Sequence, residues 1–170
     1  GVYNSGFVPG YLDAYRRDRK LLDEVSPDSL RVDGGLGSPK YIIFSNPPLV
    51  SGNLQGIRYS FRQVDWFVSL LRDHQVLPYW CYSYIPEILT GTEKSFRRPP
   101  VDVEQWGKIV ASVAKHFRDK GLRIGYHEIY NEPDNRDFFR GTVEDYNRLY
   151  EHGVRAIRDV DPEAKVGGPA

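Results

Sequence analysis

The stretch Tyr130-Asn131-Glu132-Pro133 combines residue types that suit proton transfer to a bound substrate. A carboxyl at position 132 can give and take a proton at a reacting oxygen, and the neighbouring Asn131 amide can hydrogen-bond a substrate hydroxyl. Pro133 fixes the exit path of the chain and removes a competing backbone donor. Strict strand alternation would send Asn131 and Glu132 to opposite sides, so a local bulge or twist is expected there to turn both toward one cleft.

Other groups carry weaker signals. Tyr82 and Tyr84, close to Trp80, can line a sugar pocket or fill a barrel interior, and the two readings are balanced. His127-Glu128 lacks a second histidine at helical spacing, so no metal is expected there. His74, His116 and His152 are scattered over helical segments and are given no role. Asp134 and the Asn135-Arg136-Asp137 run read as a solvated turn. Arg97-Arg98 can touch an anionic sugar, but paired loop arginines are more often solvated. Cys81, the single cysteine, excludes an internal disulfide and reads as a buried structural thiol.

The elements that must position these groups follow from periodicity. Helices are expected over 13–25, 60–74, 102–121 and 142–161. The second opens on Ser60 with Gln63 at capping-box spacing, the third on Asp102 with Gln105, and the fourth on Thr142 with Asp145. Gly121 offers a left-handed stop to the third. Strands are expected over 2–4, 29–33, 76–84, 122–130 and 165–167. Strict β-α alternation implies parallel strands joined by right-handed crossovers.

Two architectures accommodate that order. A doubly wound nucleotide-binding sheet would normally carry a glycine-rich first turn, and Gly6-Phe7-Val8-Pro9-Gly10 is not one. The longest connections, 34–59 and 85–101, both follow strand C-termini, where barrel enzymes build their sites. The expectation is therefore an α/β fold, the N-terminal part of a (β/α)8 TIM barrel, about five strands and four helices. A whole barrel needs about 250 residues, so residues 1–170 read as one incomplete domain whose C-terminal half lies beyond them. The lack of any Met fits a processed or excised piece.

Twenty-three basic and twenty-three acidic residues leave no net charge, which argues against nucleic acid or an anionic membrane as partner. No apolar run is long enough to span a bilayer, and residue 1 is not followed by a signal-peptide layout; secreted and periplasmic origins both stay open. Neither a cofactor nor a particular oligomeric state is indicated. The expected ligand is neutral or weakly charged.

The run His127-Glu128-Ile129-Tyr130-Asn131-Glu132-Pro133-Asp134, then Phe138-Phe139, a helix, Asp161-Pro162 and Lys165-Val166-Gly167-Gly168-Pro169-Ala170, resembles glycoside hydrolase family 39. The similarity extends more weakly to Leu30-Arg31-Val32-Asp33 and Tyr84-Ile85-Pro86. That family contains β-xylosidases and α-L-iduronidases. The resemblance implies a (β/α)8 barrel and a retaining double displacement in which one carboxyl is acid then base and another attacks the anomeric carbon. Glu132 matches the acid/base. The implied nucleophile belongs to the seventh strand, beyond this chain, so the 170 residues alone are expected to lack turnover. Where family members tend to carry histidine, this chain has Asp33. A carboxylate there would disfavour a uronic acid and shift specificity. A carbohydrate-binding half-barrel without catalysis is the rival reading, and a barrel lyase or isomerase a more distant one.

Overall fold

The computed structural model describes residues 2–4, 15–36, 48–91 and 95–169. In chain order the described elements are β1 (Val2–Asn4), α1 (Lys20–Val25), β2 (Ser29–Val32), β3 (Val50–Asn53), β4 (Gly56–Tyr59), α2 (Arg62–Asp73), β5 (Leu77–Cys81), a 3-10 turn (Glu87–Leu89), α3 (Val103–Asp119), β6 (Tyr126–Glu128), α4 (Val143–Val160) and β7 (Val166–Gly167). The start of the first expected helix, the turn over 6–10 and the middle of the long connection after β2 lie outside the described residues.

Five strands pair in parallel in the order β1-β2-β5-β6-β7. Each crossover strand lies beside the one before it, with no reversal of direction. Right-handed crossovers that never reverse put every helix on one face of the sheet, which is the winding of a (β/α)8 barrel and not of a doubly wound sheet. The fold is thus the N-terminal part of a TIM barrel.

The core lies between this sheet and its helices. Leu30 and Val32 of β2, Trp80 of β5 and His127 of β6 are buried on the helix side, and Trp80 meets Phe117 of α3 edge-on at 4.9 Å. The intervening residues, Arg31, Cys81 and Glu128, share the opposite face, the inside of the barrel wall. On the outside, α3 and α4 approach closely because residue 153 is glycine: a Cβ there would sit 2.9 Å from both Trp106 and Ile129.

Helix starts follow the sequence at two of three places. Asp102 accepts from the Gln105 N–H, and Thr142 and Asp145 form a reciprocal capping box. Gly121 takes φ +64 as the left-handed stop. Ser60 does not cap α2. Its N–H bonds the Leu49 carbonyl, which holds it to the preceding segment, and the helix begins after Phe61. The Phe61 ring stacks on His116 at 3.6 Å and on Tyr59 at 5.6 Å. The antiparallel hairpin β3–β4 falls where only a loop is expected from the sequence; its turn is closed by Asn53, whose side-chain oxygen accepts the N–H groups of Gln55 and Gly56. Its strands bury little beyond Val50, so no apolar alternation marks them.

Candidate active site

The strand β6 ends at Glu128, and the chain beyond it changes direction through left-handed backbone at two non-glycine residues, Tyr130 (φ 72) and Glu132 (φ 40). This backbone departs from the strand alternation that would otherwise run on through Asn131 and Glu132. Tyr130 is held in that conformation by its hydroxyl, which donates to the Phe138 carbonyl at 2.9 Å, and by edge-on rings of Tyr84 and Phe139. The Ile129 carbonyl accepts from the Tyr146 hydroxyl at 3.1 Å. Backbone strain at the strand end is thus offset by aromatic anchors on both sides.

Glu132 is half-buried. Its Oε2 accepts from Asn135 Nδ2 at 3.0 Å, and its carbonyl accepts the Asn135 N–H at 3.0 Å, so a compact turn grips one edge of the carboxyl. Asn131 is buried, 2% exposed, and both ends of its amide are occupied. Oδ1 accepts from Arg31 Nη2 at 2.9 Å, and Nδ2 donates to the Tyr84 hydroxyl at 3.3 Å.

Behind Asn131 lies a buried ion pair. Arg31 donates through Nε to Glu128 Oε2 at 2.7 Å and through Nη2 to Glu128 Oε1 at 2.9 Å. The two residues sit two strands apart, a separation of roughly 10 Å at ordinary strand spacing. Only long side chains can close that gap, and the residue between them is the small Cys81, 3.7 Å from Arg31 Nη2. Burial alone would lower the arginine's pKa, but the hydrogen bonds and charge of Glu128 prevail and hold it above its ordinary value. Burial first, then the charges of Asp33 and Glu128, push the Cys81 thiol well up, so it stays protonated.

Asp33 is 1% exposed. Its Oδ1 accepts from Ser83 Oγ and the Gly34 N–H, each at 2.7 Å, and its Oδ2 accepts from the Tyr84 hydroxyl at 3.3 Å. Burial raises its carboxyl pKa; the Ser83 hydrogen bond, the Arg31 charge and the Gly34 N–H oppose that rise.

The structure therefore brings together Asp33, Tyr84 and Asn131, adjoining Glu132 along the chain. Tyr82 does not join them. It is fully buried on the helix side of β5, where its hydroxyl meets His127 Nδ1 at 2.9 Å and the two rings stack at 5.8 Å. The reason is alternation: Cys81 faces the barrel interior, so residue 82 turns away. Tyr84 packs flat on Phe138 at 5.7 Å and edge-on to Phe96 at 5.1 Å. Arg31 and Glu128 are the participants that residue-by-residue reading of the sequence passes over. The signal available for them was period two: charged residues in short parallel strands, on the side opposite the apolar ones. Among the described residues, no group of three or more His, Cys, Asp and Glu could hold a metal.

A half-buried carboxyl, a pinned amide and a neutralised guanidinium at strand C-termini can hydrogen-bond a hydroxylated ligand and exchange a proton with it. Residues 28–170 match the family model described as Glycosyl hydrolases family 39. A β-xylosidase from Caldicellulosiruptor saccharolyticus is 31% identical over 163 residues, which is 89% of this chain and 32% of that protein. An α-L-iduronidase from Homo sapiens is 27% identical over 123 residues, 68% of this chain and 18% of that protein. The crystal structure of a monomeric β-xylosidase from Caulobacter crescentus CB15 superposes with a TM-score of 0.81 at 21% identity, covering 99% of this chain and 35% of that one, and so supports the fold. The chain spans about a third or less of the length of these relatives.

Proposed function

Because the chain belongs to glycosyl hydrolases family 39, we propose that it carries the acid/base part of a retaining glycosidase site, with Glu132 protonating the leaving oxygen and then activating water. In this reading residues 1–170 are the N-terminal portion of one barrel domain. The nucleophile is a carboxylate on a later strand, about 5 to 5.5 Å from Glu132 as retention requires. Substrate contact falls to Glu132 and Asn131, while Asp33 and Tyr84 stand behind Asn131.

The observation that carries the proposal is the pair of left-handed residues, Tyr130 and Glu132, that brings a half-buried carboxyl to the end of a barrel strand next to a buried amide. A β-xyloside is the proposed substrate class, supported by the β-xylosidase relative at 31% identity. An α-L-iduronide is disfavoured by Asp33, whose buried negative charge adjoins Tyr84 and would repel a substrate carboxylate.

The test is Glu132→Gln in the complete polypeptide, assayed on aryl β-xylosides. Loss of an acid catalyst should cost roughly 10²- to 10⁴-fold on substrates with poor leaving groups. It should cost far less where the leaving phenolate is stable without a proton. Unchanged hydrolysis of poor-leaving-group substrates by the variant would refute the acid/base role, and xyloside binding without any hydrolysis by the parent protein would favour a binding module.

A further inference from the structure

The amide of Asn131 is held by a chain of hydrogen bonds whose direction is set at a buried carboxylate. Burial raises the Asp33 pKa, but the Ser83 hydrogen bond and the Arg31 charge favour its carboxylate, which can only accept. Its Oδ1 is already satisfied by the Ser83 hydroxyl and the Gly34 N–H, and its Oδ2 faces the Tyr84 hydroxyl at 3.3 Å. The phenolic proton must therefore point at Asp33. With its proton so placed, the Tyr84 oxygen can act toward Asn131 only as an acceptor, and the atom that meets it at 3.3 Å is Nδ2. At the far end Asn131 Oδ1 receives a proton from Arg31 Nη2, itself clamped by Glu128. One end of the amide is thus specified by an obligate acceptor and the other by an obligate donor.

We propose that Asp33 is a positioning residue for Asn131, acting through the Tyr84 hydroxyl to fix which way the amide faces, so that Asn131 offers the substrate its second Nδ2–H as a donor and no carbonyl. This rests on the reading of Asn131 as a sugar-hydroxyl ligand. The carboxylate at position 33 sets the polarity at the Tyr84 end, as Arg31 sets it at the other. In Asp33→Asn the side chain keeps its size, but its NH₂ can donate to Tyr84. The phenol proton is then turned toward Asn131 Nδ2, donor against donor, so the Tyr84 end no longer holds the amide and Arg31 alone keeps its orientation.

Two measurements on the complete polypeptide test this. The first needs no turnover: amide hydrogen exchange at the Asn131 side chain, its resonances assigned by their loss in Asn131→Asp. In the parent protein the two Nδ2 protons should exchange at rates differing at least tenfold. In Asp33→Asn and in Tyr84→Phe, with unfolding midpoints recorded to establish that each variant is folded, that difference should collapse. The second measurement is kcat/KM on an aryl β-xyloside and on its 2-deoxy analogue. Each variant should lose about 10- to 100-fold on the xyloside, the order expected for a misplaced binding group. The double variant should lose no more than the worse single, and the penalty should shrink to within about threefold on the 2-deoxy substrate, which lacks the hydroxyl whose bond strengthens in the transition state.

Unaltered Asn131 exchange in a folded Asp33→Asn protein would overturn the proposal, as would equal losses on both substrates or additive losses in the double variant. Full activity of Glu132→Gln would instead strike the acid/base reading, and the exchange measurement would still decide the role of Asp33.

Discussion

Glu128→Gln removes a charge while preserving the side chain's shape, at a carboxyl with 0% side-chain exposure that holds an arginine with 13%. The parent makes two charge-assisted hydrogen bonds, at 2.7 and 2.9 Å. Each such bond contributes about 1.5–3 kcal/mol net, and orphaning one partner of a buried pair costs roughly 3–5 kcal/mol in total. Since glutamine still offers one carbonyl to the guanidinium, we expect a loss near the lower end, about 3 kcal/mol. The measurement is denaturant unfolding of the complete polypeptide, with the midpoint falling and the slope unchanged. Replacing both partners, Arg31→Met with Glu128→Leu, should recover most of that stability because no buried charge is then left alone. Activity should not return, since Asn131 Oδ1 would have lost its donor. A Glu128→Gln protein within about 0.5 kcal/mol of the parent, or a double variant less stable than the single, would refute the treatment of this pair as a coupled buried unit.

Acidification should also destabilise the fold through His127. Burial lowers its pKa from 6.5 to about 4, against the opposing charge of Asp161. The unfolded chain then binds the extra proton between those values, so stability is present above pH 6.5 and lost as pH falls toward 4. At 1.36 kcal/mol per pH unit the loss approaches roughly 3 kcal/mol. His127→Gln should flatten that limb of the stability profile, and an unchanged profile would count against the assignment. Gly153→Ala should destabilise by about 1–3 kcal/mol despite the helix propensity it gains, because the added methyl would lie 2.9 Å from Trp106 and Ile129. A thermal midpoint equal to or above the parent's would show that α3 and α4 can move apart at little cost.

The alternation of elements, the capping residues of α3 and α4 and the strand-end setting of Glu132 were all readable along the chain, because each depends on neighbours within a few residues. Thr142 and Asp145 are three apart, and Gly121 closes a helix by its own backbone freedom. The need for irregular backbone near Asn131 was likewise legible, since period two cannot send adjacent side chains to one side. The strand ends were drawn too long, at 122–130 against Tyr126–Glu128 and at 76–84 against Leu77–Cys81. Leu122 is still unwinding from α3, its N–H bonded to the Phe117 carbonyl, and past Cys81 the chain bonds to the Gly35 loop. An apolar run does not distinguish such flanks from a paired strand.

What sequence determined by itself was a βα barrel segment with one carboxyl, Glu132, just past the end of a strand. Tertiary structure alone decided which groups stand around its neighbour Asn131. Arg31 meets Glu128 across 97 positions, Tyr84 meets Asn131 across 47 and Asp33 across 51, and Tyr82 is sent to the helix side. Those partnerships depend on register between strands and on the small thiol of Cys81 that lets two long side chains meet above it. Register is fixed by the whole sheet at once, so no local pattern of residues encodes it.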